Sequence, residues 1–161
     1  MRGFITSALI GGVIHFTPAI PKFNYKAPSL EKKAEIEAKI NYLDPIFYKA
    51  ICKTESAWKA KAKSKVGARG IAQLMPETIV KLGVKNPENP FESIQGGGRW
   101  LLEGARELGF NPESSPLTLK QYKELSKWYN CGGPRLAQNP ACGDSYWAEV
   151  QTNMEYYKKR G

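Results

Sequence analysis

The chain has 161 residues, with 24 Lys and Arg against 15 Asp and Glu, for a formal charge of +9. One substantial core suits that length, and no linker, repeat or low-complexity run divides it. The charge favours a polyanionic partner without choosing among nucleic acid, anionic cell wall and membrane surface. A single His15 and no Cys-x-x-Cys leave metal and thiol catalysis without ligands or a base, so no metal or cofactor is expected.

In chain order, Arg2 precedes an apolar run from Phe4 to Phe16, and Thr17 and Ala19 place small residues at the two positions that matter for a cut after Ala19. The run is too short for a comfortable bilayer span. Export is therefore the reading for residues 1–19, with residues 20–161 as one domain; an uncleaved N-terminal membrane anchor or an ordinary buried strand is the alternative. Loss of the segment removes Arg2 and lowers the charge from +9 to +8.

Ser29 can cap a weakly amphipathic helix through Glu31, Ala34, Glu35 and Ile40. Asp44 can cap the next, with Pro45 at its first position, where a missing amide hydrogen costs nothing. Lys59 to Arg69 has loop composition, and Pro76 can begin a short helix ending at Gly83. Asn89, Pro90 and Glu92 read as a cap, a first-turn proline and a third-position glutamate reaching back. The helix they start can run to Gly109. Its Gly96, Gly97 and Gly98 cost about 1 kcal/mol each relative to alanine, so either close packing against another backbone or a kink is expected.

Thr118 with Gln121 starts a helix carrying Leu119, Tyr122, Leu125 and Trp128. Asp144 or Ser145 starts the last helix, with Tyr146, Val150, Met154 and Tyr157 inward. Cys131 and Cys142 bracket a Gly-, Pro- and Asn-rich loop that a short staple would suit, and Cys52 reads as a small buried hydrophobe; pairing of Cys52 with either stays open. Nothing alternates long enough for a large sheet, so the fold is expected to be mainly α, with at most a small hairpin in Lys61 to Ile71.

Glu55 breaks the pattern of its helix. Phe47, Ile51, Glu55 and Trp58 recur at three- and four-residue spacing and share a face, which puts a carboxylate on an apolar stripe. Such a group must be paired, or have its acid form favoured by desolvation, as a general acid near neutral pH requires. The alternative is a boundary glutamate whose head reaches solvent.

Three blocks concentrate polar groups beside glycine or aromatic residues: Glu55-Ser56, Gly67 through Pro76 with Gln73 inside it, and Trp128-Tyr129-Asn130-Cys131-Gly132-Gly133. Together with the stretch from Asn86 to Phe91, they resemble the soluble lytic transglycosylase (SLT) domain, a lysozyme-like family, over Asp44 to Tyr157. The resemblance implies a lysozyme-like α+β fold with a minimal or absent β-hairpin. It makes Glu55 the sole catalytic acid and base, with Ser56 fixing the helix end and Gln73 and Met75 lining the sugar cleft. Tyr129 would orient the carboxyl, and Asn130 would support the loop or contact substrate. Cys131, where alanine is common, and Ala72, where many members carry methionine, depart from the pattern and leave the cleft's shape and the redox state of its rim in question.

Family members cut the β-1,4 bond between N-acetylmuramic acid and N-acetylglucosamine in peptidoglycan and leave a 1,6-anhydro ring. The carboxylates fit that chemistry. A two-carboxylate hydrolase needs its groups about 5 to 9 Å apart, whereas Asp44 lies eleven residues along the helix from Glu55, roughly 16 Å away. Glu77 and Asp144 could approach only by folding. The expected setting is the periplasm or cell envelope, with a virion as the alternative, and the expected partners are glycan strands and an envelope-spanning secretion, conjugation or phage assembly. A lysozyme-type hydrolase and a non-catalytic wall-binding component are the competing functions. Nucleic-acid binding ranks behind them, since no zinc spacing, basic recognition helix or stacking array occurs.

Overall fold

The computed structural model describes residues 27–160 and, in the N-terminal apolar run, the backbone of two short strands, β1 (Leu9–Ile10) and β2 (Val13–Ile14). The strands pair antiparallel with Leu9 opposite Ile14. The rest of the expected export segment, with its cut after Ala19, lies outside the described residues.

Seven helices follow: α1 (Leu30–Ile40), α2 (Pro45–Ser56), α3 (Pro76–Leu82), α4 (Pro90–Glu107), α5 (Leu119–Cys131), α6 (Gly133–Gln138) and α7 (Asp144–Lys158). Local chemistry sets their starts. Ser29 Oγ accepts from the Lys32 amide at 3.2 Å, and one carboxylate oxygen of Asp44 accepts from Ile46 and Phe47 at 2.7 and 2.9 Å. Thr118 and Gln121 close a reciprocal capping box. Gly83, left-handed at φ 64°, ends α3.

The core forms around α2, whose Phe47, Tyr48, Ala50, Ile51 and Cys52 are fully buried. It packs between α1 and α7, while α4 crosses α1 and α5 bridges α4 and α7. The three glycines of α4 lie within one uninterrupted helix. A Cβ on Gly97 would stand 2.6 Å from both the Ala72 Cβ and the Tyr48 hydroxyl, and one on Gly98 would stand 2.9 Å from Asn41 Nδ2. Neighbouring side chains, rather than another backbone, thus occupy the space that offsets the glycine cost. Gly104 likewise makes room for the Trp128 ring.

Several local expectations fail for identifiable reasons. Glu92 accepts from the Lys85 and Asn86 amides at 3.1 and 2.9 Å rather than from its own cap, because the preceding turn offers two free donors. Leu119, the first residue of α5, is exposed. The segment between the paired cysteines holds a helix, α6, started by Pro134 in its first turn. By contrast, α7 does start at Asp144, with Gly143 at its cap position and the Asp144 carboxylate accepting from Lys127 at 2.8 Å. The hairpin region contains only two isolated bridges, Lys63 with Arg69 and Arg69 with Leu74. Cys131 and Cys142 are disulfide-bonded, and Cys52 is free and buried.

Candidate active site

Glu55 is the penultimate residue of α2. The chain then turns sharply: Ala57 and Trp58 are both left-handed, at φ 49° and 66°. This takes Trp58 off the helical stripe that its spacing implied, and its indole N–H donates to the Tyr157 hydroxyl at 2.9 Å. Two consecutive non-glycine residues in this region store strain of order 1–3 kcal/mol each, which the surrounding packing must hold.

A strap from Gly67 to Met75 lies across the end of α2 and is fastened on three sides. Ser56 Oγ donates to the Ile71 carbonyl at 2.9 Å, and Ser93 Oγ, on α4, accepts from the Ala72 amide at 3.1 Å. Tyr129, on α5, donates to the Ala72 carbonyl at 2.6 Å. Gly70 is obligatory here: φ is 79°, and a Cβ would overlap the Pro87 carbonyl. Gln73, left-handed at φ 47°, turns its amide nitrogen back to the Gly70 and Ala62 carbonyls at 2.8 and 3.2 Å. Ala72 is fully buried against Gly97, a fit that a methionine would not make without rearrangement.

The carboxyl of Glu55 is partly buried, and its Oε1 accepts a hydrogen bond from Tyr146 of α7 at 2.6 Å. Burial pushes its pKa up from 4.5 to about 7, against the opposing pull of the Tyr146 hydroxyl and with help from the negative charge of Glu149. Burial also holds Tyr146 and Tyr129 well above the usual phenol range, so both stay neutral donors. The Cys52 thiol is pushed up in the same way and is no nucleophile.

Of the residues singled out in the sequence, Ser56 and Tyr129 fasten the strap, and Gln73 lies within it, bonded to the Gly70 and Ala62 carbonyls. The bond that aims the carboxyl belongs to Tyr146, however; Tyr129 spends its hydroxyl on Ala72. Met75 is half-buried at the start of α3, and Asn130 is exposed on the last turn of α5. Asp144 is held by Lys127, and Glu77 is exposed on α3. Helical spacing marked Tyr146 as inward but could not show that it meets a residue 91 positions away. Glu149 gave no signal. Among the described residues no three His, Cys, Asp or Glu side chains converge as a metal site, and no helix is long and apolar enough to cross a membrane.

Helices packed around one desolvated glutamate, with a glycine-bearing strap across the end of its helix, form the site. Residues 33–140 match the transglycosylase SLT domain model, and the chain belongs to that family. It is 33% identical over 112 residues to membrane-bound lytic murein transglycosylase F of Shewanella halifaxensis, covering 66% of this chain and 23% of the relative. It is also 33% identical over 132 residues to the protein of that name in Stutzerimonas stutzeri, covering 78% and 26%. The chain thus spans about a quarter of the length of these relatives. Among solved structures, an inactive mutant of lytic transglycosylase Slt from Pseudomonas aeruginosa superposes with a TM-score of 0.55 at 26% identity, over 78% of this chain and 21% of that one. The 70 kDa soluble lytic transglycosylase of Escherichia coli shares the fold, with a TM-score of 0.52 at 22% identity over 81% and 21% of the two chains.

Proposed function

We propose that this chain is a peptidoglycan lytic transglycosylase, cutting the β-1,4 bond between N-acetylmuramic acid and N-acetylglucosamine and leaving a 1,6-anhydromuramic end. The observation that carries the reading is the Glu55 carboxyl, protonated up to about pH 7 and aimed by Tyr146. That state suits a general acid. Glu55 protonates the glycosidic oxygen as the C1–O4 bond breaks, and the substrate's 2-acetamido carbonyl stabilises the oxocarbenium-like centre. The resulting Glu55 carboxylate takes the proton from O6 as O6 bonds to C1. No water is consumed, and the acid is regenerated.

In this reading Gln73 and Met75 line the sugar cleft, Ser56 and Tyr129 hold the strap that shapes it, and Asn130 lies at its rim. Residues 1–19 direct export, and the domain works at the cell envelope, in the periplasm, beside an envelope-spanning assembly.

The test is digestion of purified sacculi by the wild type and by Glu55→Gln, with the products weighed. Muropeptides one water lighter than their reducing-end counterparts are expected from the wild type and none from the variant. Reducing muramic ends would make the protein a hydrolase instead. Cutting by Glu55→Gln at the wild-type rate would remove Glu55 from the chemistry altogether.

A further inference from the structure

The hydroxyl that aims Glu55 belongs to the first turn of α7, and that turn has no side-chain cap: Gly143, left-handed at φ 80°, stands at the cap position. A helix start whose free amides find no side-chain partner frays unless something else holds it. Downstream, Asn153 Nδ2 donates to Thr54 Oγ1 at 2.8 Å and fixes the roll of α7 on α2. That bond lies about two turns beyond Tyr146. Trp147 and Val150 bury the inner side of the helix. None of these contacts fixes the residues that lead into α7.

Lys127 of α5 does so, and it is only 9% exposed. Its ammonium donates to Asp144 Oδ1, in the first residue of α7, at 2.8 Å, and to the carbonyl of Pro140, inside the loop that the Cys131–Cys142 disulfide closes. Its stem is engaged too. A Cβ on Gly143 would lie 3.0 to 3.1 Å from Cα, Cβ and Cγ of Lys127, so the backbone just before α7 rests directly on the lysine. Lys123, one turn earlier on α5, comes no nearer than 3.7 Å to the same carboxylate. Burying an ammonium costs free energy unless its donors are met, and both groups that meet these lie at the entry to α7.

We propose that Lys127 is a positioning residue for the general acid: by holding the uncapped first turn of α7 against α5 and the disulfide-closed loop, it keeps the Tyr146 hydroxyl on the Glu55 carboxyl. The inference rests on the function proposed above. The mechanical path is continuous. Lys127 is bonded to Asp144, Tyr146 follows two residues later, and its hydroxyl meets Glu55 Oε1 at 2.6 Å. A displacement of about 1 Å along that bond stretches it to about 3.6 Å, where no hydrogen bond remains. The carboxyl would then keep its burial but lose its orientation. Lys127 touches no reacting atom and acts only through the helix that carries Tyr146.

The experiment compares the wild type with Lys127→Met, which keeps a stem beneath Gly143 and removes the ammonium, and with Asp144→Ala, at an exposed position. Each is also made in a Tyr146→Phe background. The Glu55 carboxyl is followed by carbon NMR in ¹³C-glutamate-labelled protein, its signal assigned from Glu55→Gln, and sacculus cleavage is followed against pH. The Tyr146 bond favours the charged carboxyl, so losing it raises the Glu55 midpoint. Both single variants are expected to raise that midpoint by about half a pH unit and to lower saturated turnover about 3- to 10-fold. They change the local charge in opposite senses, so a direct field on Glu55 would instead move the midpoint up in Lys127→Met and down in Asp144→Ala. In Tyr146→Phe, with no hydroxyl left to position, neither should move the midpoint by more than about 0.2 units. An unchanged or lowered midpoint in either single variant would overturn the proposal, and so would shifts as large in Tyr146→Phe as in the wild type. Should Lys127→Met fail to fold in thermal melts, Asp144→Ala decides by the same rule. The NMR titration needs no substrate. A wild type that leaves sacculi intact therefore refutes the proposed function while still deciding whether Lys127 positions Tyr146.

Discussion

Replacing Tyr146 with phenylalanine removes one hydroxyl, and two separable effects should follow. The Tyr146 O–H donates to Glu55 Oε1 at 2.6 Å, and this bond stabilises the charged form of the carboxyl. A hydrogen bond to a charged group contributes about 1.5–3 kcal/mol. The neutral acid keeps part of that, so the difference between the two protonation states is about 1–1.5 kcal/mol, or about one pH unit. With the bond gone, burial and Glu149 act unopposed, and the Glu55 midpoint should rise from about 7 to about 8. Because the acid form begins the reaction, the high-pH limb of kcat/KM should move upward by the same amount. The plateau should fall about 10- to 100-fold, because the carboxyl is no longer held in one orientation. A pH–rate series on purified sacculi, paired with thermal melts to confirm folding, reads both. A limb that stays in place or moves down would refute the role given to this bond, whatever happens to the plateau.

Glu55 also makes the fold pH-sensitive. Its pKa is higher folded than the ordinary 4.5, so the native state binds the extra proton and stability falls as pH rises from about 4.5 through 7. Glu55→Gln, which keeps an acceptor for Tyr146, should therefore stabilise the protein by up to about 3 kcal/mol at pH 8 and by almost nothing at pH 4; urea melts at the two pH values check this, and equal gains would contradict it. Gly97→Ala drives a methyl group into Ala72 and the Tyr48 hydroxyl, so a loss of about 1–3 kcal/mol and a lower cleavage rate are expected from denaturation and turnover measurements. Reducing the Cys131–Cys142 disulfide, which closes an 11-residue separation, should cost up to about 3 kcal/mol. Because the disulfide braces the approach to α7, cleavage by the reduced, still folded protein should drop, whereas unchanged turnover would show that Tyr146 stays in place without it.

Capping chemistry made most of the fold legible, because Ser29, Asp44, Asn89 and Thr118 act within four residues of themselves. Turns that depend on distant partners were hidden. Glu92 looked like a capping-box residue, yet the free amides of Lys85 and Asn86 lie nearer its carboxylate in the folded chain. Trp58 matched the stripe of α2, but two left-handed residues end that helix before its ring can join the row. At the site, Glu55 was conspicuous as an acid among apolar neighbours in one helix. The resemblance gives Tyr129 the aiming role, whereas the bond to Glu55 comes from Tyr146, which reaches it only because α7 docks on α2.

Placing the tyrosine that aims Glu55 on the last helix has a consequence for how this molecule comes into being. The stretch matching the family ends at residue 140, short of Tyr146. A fragment trimmed to those limits would carry its acid without the hydroxyl that points it. During synthesis, too, the Glu55 carboxyl lacks this aiming donor until the final helix has emerged and docked.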